Sequence, residues 1–180
     1  MLDSLIEIIL FQLKARYTTE KGFYERTLGI TPQSWSRIKK GTRSLSFENF
    51  QRLSQLFTPY EWYLANEVAR MQEILKMGDA VFEYQYLKRA LAVDWGERAL
   101  AGDSDYSVSY RWGSTVPLPR FRKEILMYVE RRLPLSGYSD TVVLTLSDSE
   151  YQLVREDPQL LYDRWKEWLA DEGSMASDEE

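Results

Sequence analysis

The residues best suited to chemistry in this 180-residue chain lie between Gln33 and Arg43. Gln33, Ser34, Ser36, Arg37 and Lys40 surround two apolar residues, Trp35 and Ile38, three positions apart. On a helix that spacing turns Trp35 and Ile38 inward and leaves the polar set outside. An amide, hydroxyls and a guanidinium in the early turns of a helix match the donors and acceptors of base edges in a major groove. Gln pairs two hydrogen bonds with adenine and Arg with guanine, while Lys and Thr near the helix end suit phosphate oxygens. The chain holds no Cys and no His. Disulfides, Cys/His zinc sites, Cys or His nucleophiles and His general bases are thereby excluded. No metal and no cofactor is expected.

The local signals that position this polar face are explicit. Gly29 can take the left-handed conformation that closes a helix over 20–28. Thr31 is a side-chain N-cap, and Pro32 follows at the first helical position of a helix over 32–40. A helix over 2–17 precedes them, with Leu2, Leu5, Ile6, Ile9 and Leu13 on one stripe and Ile8, Leu10 and Phe11 opposite. Ser46 caps a fourth helix through Phe57, with Phe47, Phe50, Leu53 and Leu56 inward. Thr58-Pro59-Tyr60-Glu61 reads as a capping box that starts a fifth, striped by Leu64, Val68, Met71 and Leu75. That stripe fits core packing or a seam between two protomers.

After Met77-Gly78-Asp79 come a helix over 80–93, a turn at 102–104 and a strand in which Tyr106, Val108, Tyr110 and Trp112 alternate with polar residues. Pro117 and Pro119 introduce a predicted helix to Leu133, with Phe121, Ile125, Val129 and Leu133 inward. A strand over 141–146, a capping box at Ser147-Asp148-Ser149-Glu150 and a last helix after Asp157-Pro158 follow. The expected fold is mostly α. A five-helix helix-turn-helix domain spans 1–77, a small acidic α+β domain spans 78–172, and an acidic tail over 173–180 is expected to be disordered.

Charge divides the same way. Residues 1–76 carry 11 Lys/Arg against 8 Asp/Glu, and residues 77–180 carry 12 against 20. Two parts with different partners would give this split, and so would an ordinary acidic surface. No apolar run reaches transmembrane length, and Met1-Leu2-Asp3-Ser4 lacks the basic segment of a signal peptide. A cytoplasmic protein is therefore expected. An enzyme would have to work with carboxylates, Lys, Tyr or Ser alone, without a glycine-rich phosphate loop or a G-x-S-x-G pattern. Enzymatic activity is not expected.

Residues 20–57 resemble the lambda-repressor-like (xenobiotic-response-element type) helix-turn-helix domains. The resemblance rests on Leu28-Gly29-Ile30, Ser36-Arg37-Ile38, Lys40-Gly41-Thr42-Arg43 and Leu45-Ser46-Phe47-Glu48-Asn49-Phe50. It implies double-stranded DNA as partner, usually bound by a dimer on a palindrome. It makes Gln33, Ser34 and Arg37 base-edge candidates and Lys39, Lys40, Thr42 and Arg43 phosphate contacts. Two departures stand out. Lys21 and Glu25 replace the amide and the small residue usual in the first helix, and Phe23, Tyr24 and Trp35 imply a repacked junction between the helices.

A narrower resemblance is to streptococcal-phage anti-CRISPR proteins that contain a helix-turn-helix. It rests on Phe23-Tyr24, Gly29-Ile30, Trp35 before Lys40-Gly41, and Leu56-Phe57 before Tyr60-Glu61. It implies a homodimer that binds a type II CRISPR nuclease, or its guide-RNA complex, inside a bacterial host cell. Asp163, Glu167 and Asp171, with Glu172 and the tail, are the acidic candidates for that contact. They equally fit a solvated helix face. Tyr110 and Trp112, with Tyr84, Tyr86, Tyr106 and Tyr138, suit an interface or a half-buried place in a small domain. The alternative function is a dimeric transcriptional repressor whose second half dimerises or senses a signal.

Overall fold

A computed structural model describes residues 3–16, 19–75, 78–113, 124–134 and 136–175. Among them the chain is mostly helical, with one small antiparallel sheet. The helices are α1 (Asp3–Arg16), α2 (Glu20–Arg26), α3 (Pro32–Lys39), α4 (Phe47–Ser54), α5 (Pro59–Leu75) and α6 (Ala80–Leu100). Strands β1 (Tyr106–Gly113), β2 (Glu124–Arg132) and β3 (Ser139–Leu146) follow, then α7 (Asp148–Glu156) and α8 (Pro158–Met175). Two compact units divide between Tyr84 and Gln85, inside α6. The break anticipated from Met77-Gly78-Asp79 lies seven residues earlier.

In the first unit α2 to α5 each begin where a cap dictates. Thr19, Thr31 and Ser46 accept hydrogen bonds from the backbone N–H of Gly22, Ser34 and Asn49. Thr58 and Glu61 close a reciprocal capping box at α5: the Glu61 N–H donates to Thr58 Oγ1 (3.1 Å) and the Thr58 N–H donates to Glu61 Oε2 (3.0 Å). Helix α1 buries Leu5, Ile6, Ile8, Ile9 and Leu13. Its many-sided apolar character is therefore met within its own chain, by packing that includes α5. On α5, Leu64 and Val68 are buried, whereas Met71 and Leu75 are exposed. Phe47, expected inward, is 76% exposed. Phe47 and Leu53 are six residues apart, hence about 120° apart around a helix, and Leu53 holds the inner side.

The second unit holds the sheet, in order β1-β2-β3. Val108 pairs with Val129 and Tyr110 with Met127 in one ladder, and Met127 with Leu144 and Val129 with Val142 in the next. Strand β2 corrects the helix predicted up to Leu133. A four-residue repeat through Ile125 and Val129 fits a helical turn, but it is also twice the period of a strand. Met127 between them is buried too, which the two-residue period explains and a helical turn does not, and Leu126, at the alternate position, is buried as well. Pro117, Pro119 and Phe121 of that predicted helix lie outside the described residues. The predicted helix over 80–93 extends to Leu100. Helix α8 runs to Met175, past the point where disorder was expected, and residues 176–180 lie outside the described set.

Gly96 lets α6 and α8 meet. The ring of Tyr162 lies over its backbone so closely that a Cβ there would stand 2.4 Å from Tyr162 Cζ. Alanine ordinarily favours a helix interior over glycine by about 1 kcal/mol. Gly96→Ala should nevertheless destabilise the protein by about 1–3 kcal/mol, because the overlap forces the ring or the helices apart. Urea titration measures this, and a variant as stable as the parent contradicts the close approach.

Candidate nucleic-acid interface

The geometry of α3 follows from what anchors it. Gly29 takes φ +63 in the turn after α2, the left-handed conformation that glycine tolerates best. Thr31 Oγ1 accepts from the Ser34 N–H at 3.2 Å, and Pro32 occupies the first turn. Trp35 and Ile38 are buried. The Trp35 ring meets Phe23 edge-on, with centroids 6.0 Å apart, and stacks on Tyr24 at 6.4 Å. This is the repacked junction implied by the aromatic residues of the sequence. Glu25 points outward and lies 3.9 Å from Lys21, so no buried carboxylate burdens the junction.

Of the eight candidates, Gln33, Ser36, Arg37, Lys40, Thr42 and Arg43 are exposed. No hydrogen bond or ion pair among the described residues engages the guanidinium of Arg37 or the ammonium of Lys40. Ser34, Lys39, Thr42 and Arg43 have intramolecular partners. Lys39 Nζ lies 2.8 Å from Glu20 Oε2. The Thr42 hydroxyl donates to the Arg37 carbonyl at 3.1 Å. Ser34 Oγ is half-buried and accepts from Arg43 Nη1 (2.6 Å) and from the Thr31 hydroxyl (3.0 Å). Arg43 thereby lies against the first turn of α3. The face that remains presents an amide, a hydroxyl, a guanidinium and an ammonium to solvent. Beside α3, a groove of about 560 Å³ is lined by Leu5, Ile38, Leu45, Phe47 and Phe50, with Arg43 and Asn66 among its polar walls.

Two positioning groups escape a sequence reading. Glu20, in the first turn of α2, accepts at one oxygen from Trp35 Nε1 (3.0 Å) and Lys39 (2.8 Å). Burial would raise its pKa, but these two hydrogen bonds outweigh burial and hold it below the usual range. Arg52 of α4 donates to the Thr27 carbonyl at 2.9 Å and pairs with Glu48, which fixes the turn between α2 and α3. Trp35, Lys39 and Thr27 lie 15 to 25 residues from these two groups, so no local spacing announces those contacts; only the Glu48–Arg52 pair is local.

In the second unit the acidic candidates sit on α8. Asp163, Glu167 and Asp171, each four residues apart, are exposed on one side of the helix. Asp163 accepts from Gln159 (2.9 Å) and lies 3.8 Å from Lys166, which also pairs with Glu97. Trp112 is 63% exposed and meets Tyr151 edge-on. Tyr110 is half-buried, and burial pushes its hydroxyl pKa up, as it does that of the neighbouring Tyr162. These two hydroxyls interact without a well-aligned hydrogen bond, and the buried Tyr162 hydroxyl has no other partner among the described residues. Tyr84 is fully buried in the first unit, where Gln12 donates to its hydroxyl, so it is core rather than surface.

Among the described residues no helix is long and apolar enough to cross a membrane, and no cluster of carboxylates could hold a metal ion. Comparison of the chain with protein-family models, with curated proteins and with solved structures finds no match.

Glu150 holds the start of α7 to α8. It accepts from Ser147 N (2.8 Å) and from Trp165 Nε1 (2.9 Å). Burial raises its pKa, but those hydrogen bonds and nearby Arg89 prevail and lower it. A folded pKa below the unfolded value gives stability that is present above pH 4.5 and lost as pH falls through the folded pKa. Glu150→Gln should therefore cost about 1–2 kcal/mol near neutral pH and much less near about pH 2. Urea titrations at the two pH values check this, and an equal loss at both contradicts the charged role.

Proposed function

We propose that this chain is a phage or mobile-element helix-turn-helix protein that binds duplex DNA through α3 and inhibits a type II CRISPR nuclease through its acidic second unit. The observation that carries the first half is the outward row Gln33, Ser36, Arg37 and Lys40 on a helix anchored by Trp35 and Ile38. Arg37 and Gln33 read base edges, Lys40 and Arg43 meet phosphates, and Ser34 orients Arg43. The helix-turn-helix is α2, the 27–31 turn and α3.

The second half is favoured by the exposed carboxylates Asp163, Glu167 and Asp171 on α8. A nuclease channel that holds nucleic acid is positively charged, and a carboxylate row can compete for it. The protein acts in the cytoplasm of the infected bacterium as a homodimer. The dimer is supported by Met71, Ile74 and Leu75, which leave the last turns of α5 apolar and exposed.

Arg37→Ala should weaken binding to a specific duplex by about 1–3 kcal/mol and relax base preference. Lys40→Ala should weaken all duplexes alike and flatten the salt dependence by about one unit of slope. Fluorescence anisotropy on a duplex selected from a random library, and on a scrambled duplex, measures both. Equal losses on the two duplexes for Arg37→Ala remove the base-reading role.

For the second half, plasmid cleavage by a type II nuclease should be blocked by the parent and by Arg37→Ala. The triple variant Asp163→Lys, Glu167→Lys, Asp171→Lys should lose the block, because like charges facing a basic channel repel. If the parent leaves cleavage by nucleases of several hosts untouched, the protein is a repressor whose second unit dimerises or senses a signal.

A further inference from the structure

We infer that Glu20 is a positioning residue for the reading helix, and that Lys39 is its latch and not a phosphate contact. The inference rests on the proposal that α3 reads DNA. One carboxylate oxygen, Oε2 of Glu20, accepts from the Trp35 indole at 3.0 Å and from the Lys39 ammonium at 2.8 Å. Trp35 and Lys39 are four residues apart, one turn of α3. A single point on α2 therefore grips α3 at two successive turns. Sliding of α3 along its axis, or rotation about it, breaks at least one of these bonds.

Rotation matters because a helix turns about 100° per residue. A modest twist would carry Arg37 and Gln33 off the base edges, while leaving Lys40 within reach of some phosphate. Hydrogen-bond readout tolerates errors of only about 0.5 Å and 10–20°, whereas phosphate attraction is long-ranged and forgiving. Glu20 and Lys39 are each about one-third exposed, and such a pair adds little stability through its charges. Its consequence is orientation. Glu20 carries a negative charge beside a DNA-facing helix, an unfavourable place unless it serves geometry.

The test uses the full chain and three variants: Glu20→Gln, Lys39→Met and the two combined. The probes are the duplex that the parent enriches from a random library and a scrambled duplex of equal length. Glu20→Gln should weaken the selected duplex about tenfold, the worth of a charge-assisted contact. It should leave the scrambled duplex at or above parental affinity, since a negative charge is gone. Lys39→Met should lose as much on the selected duplex while keeping the parental salt slope. The double variant should lose no more than either single one, because the two residues act as a unit.

A Lys39→Met slope flatter by about one unit would make Lys39 a phosphate contact and overturn the latch. Parallel losses on both duplexes, tracking a fall in melting temperature, would reduce Glu20 to a fold-stabilising residue. Should Glu20→Gln fail to fold, Lys39→Met alone still decides. If the parent enriches no duplex at all, the DNA-reading proposal falls, and this role falls with it.

Discussion

The same contact locks a pair of helices in each unit: a carboxylate in the first turn of one helix accepts the indole N–H of a tryptophan on the next. Glu20 holds Trp35 between α2 and α3, and Glu150 holds Trp165 between α7 and α8. Each acid also serves a second bond at its own site, to Lys39 in one case and to the Ser147 N–H in the other. A buried indole contributes a large apolar area but carries one donor that must be satisfied. Placing an acid opposite that donor turns a packing contact into a directional one. Short helices need this, since α2 and α3 are seven and eight residues long and would not persist alone.

Everything outward in the first unit depends on that lock. With Trp35 seated against Phe23 and Tyr24, the polar side of α3 can only face away from the core. Thr42 and Arg43 then fold back on the helix, and Arg52 ties the preceding turn to α4. The second unit adds a steric constraint. Gly96 lets Tyr162 lie directly over α6, and Lys88 donates from that helix to the Val143 carbonyl of β3 at 2.7 Å. Helix and sheet are thus joined by a buried lysine.

What was legible in the sequence was local. Caps at Thr31, Ser46, Thr58 and Ser147 involve residues three apart, so the letters alone place them. Trp35 and Ile38 were read inward from their spacing, and they are buried. The error at β2 has a periodic cause, because every fourth residue satisfies a strand as well as a helix. A window with β-branched and aromatic neighbours, Ile125 to Val129, carried the contrary signal. Glu20, Arg52 and Gly96 could not be read at all. The contacts that matter here, to Trp35, Thr27 and Tyr162, reach 15 to 66 residues away, and nothing in the intervening sequence marks them. Placing Lys39 and Thr42 beside phosphates rested on the family resemblance and on residue type, and neither says anything of the intramolecular partners both residues have.

The central claim is that α3 presents its outer face to duplex DNA. An amide NMR spectrum of the parent, titrated with the duplex it selects from a random library, tests it most directly. Signals of residues 33–43 should move, those of α7 and α8 should stay, and the indole N–H of Trp35 should keep its position. Shifts confined to the second unit, or a Trp35 indole signal that moves with the duplex, would contradict it.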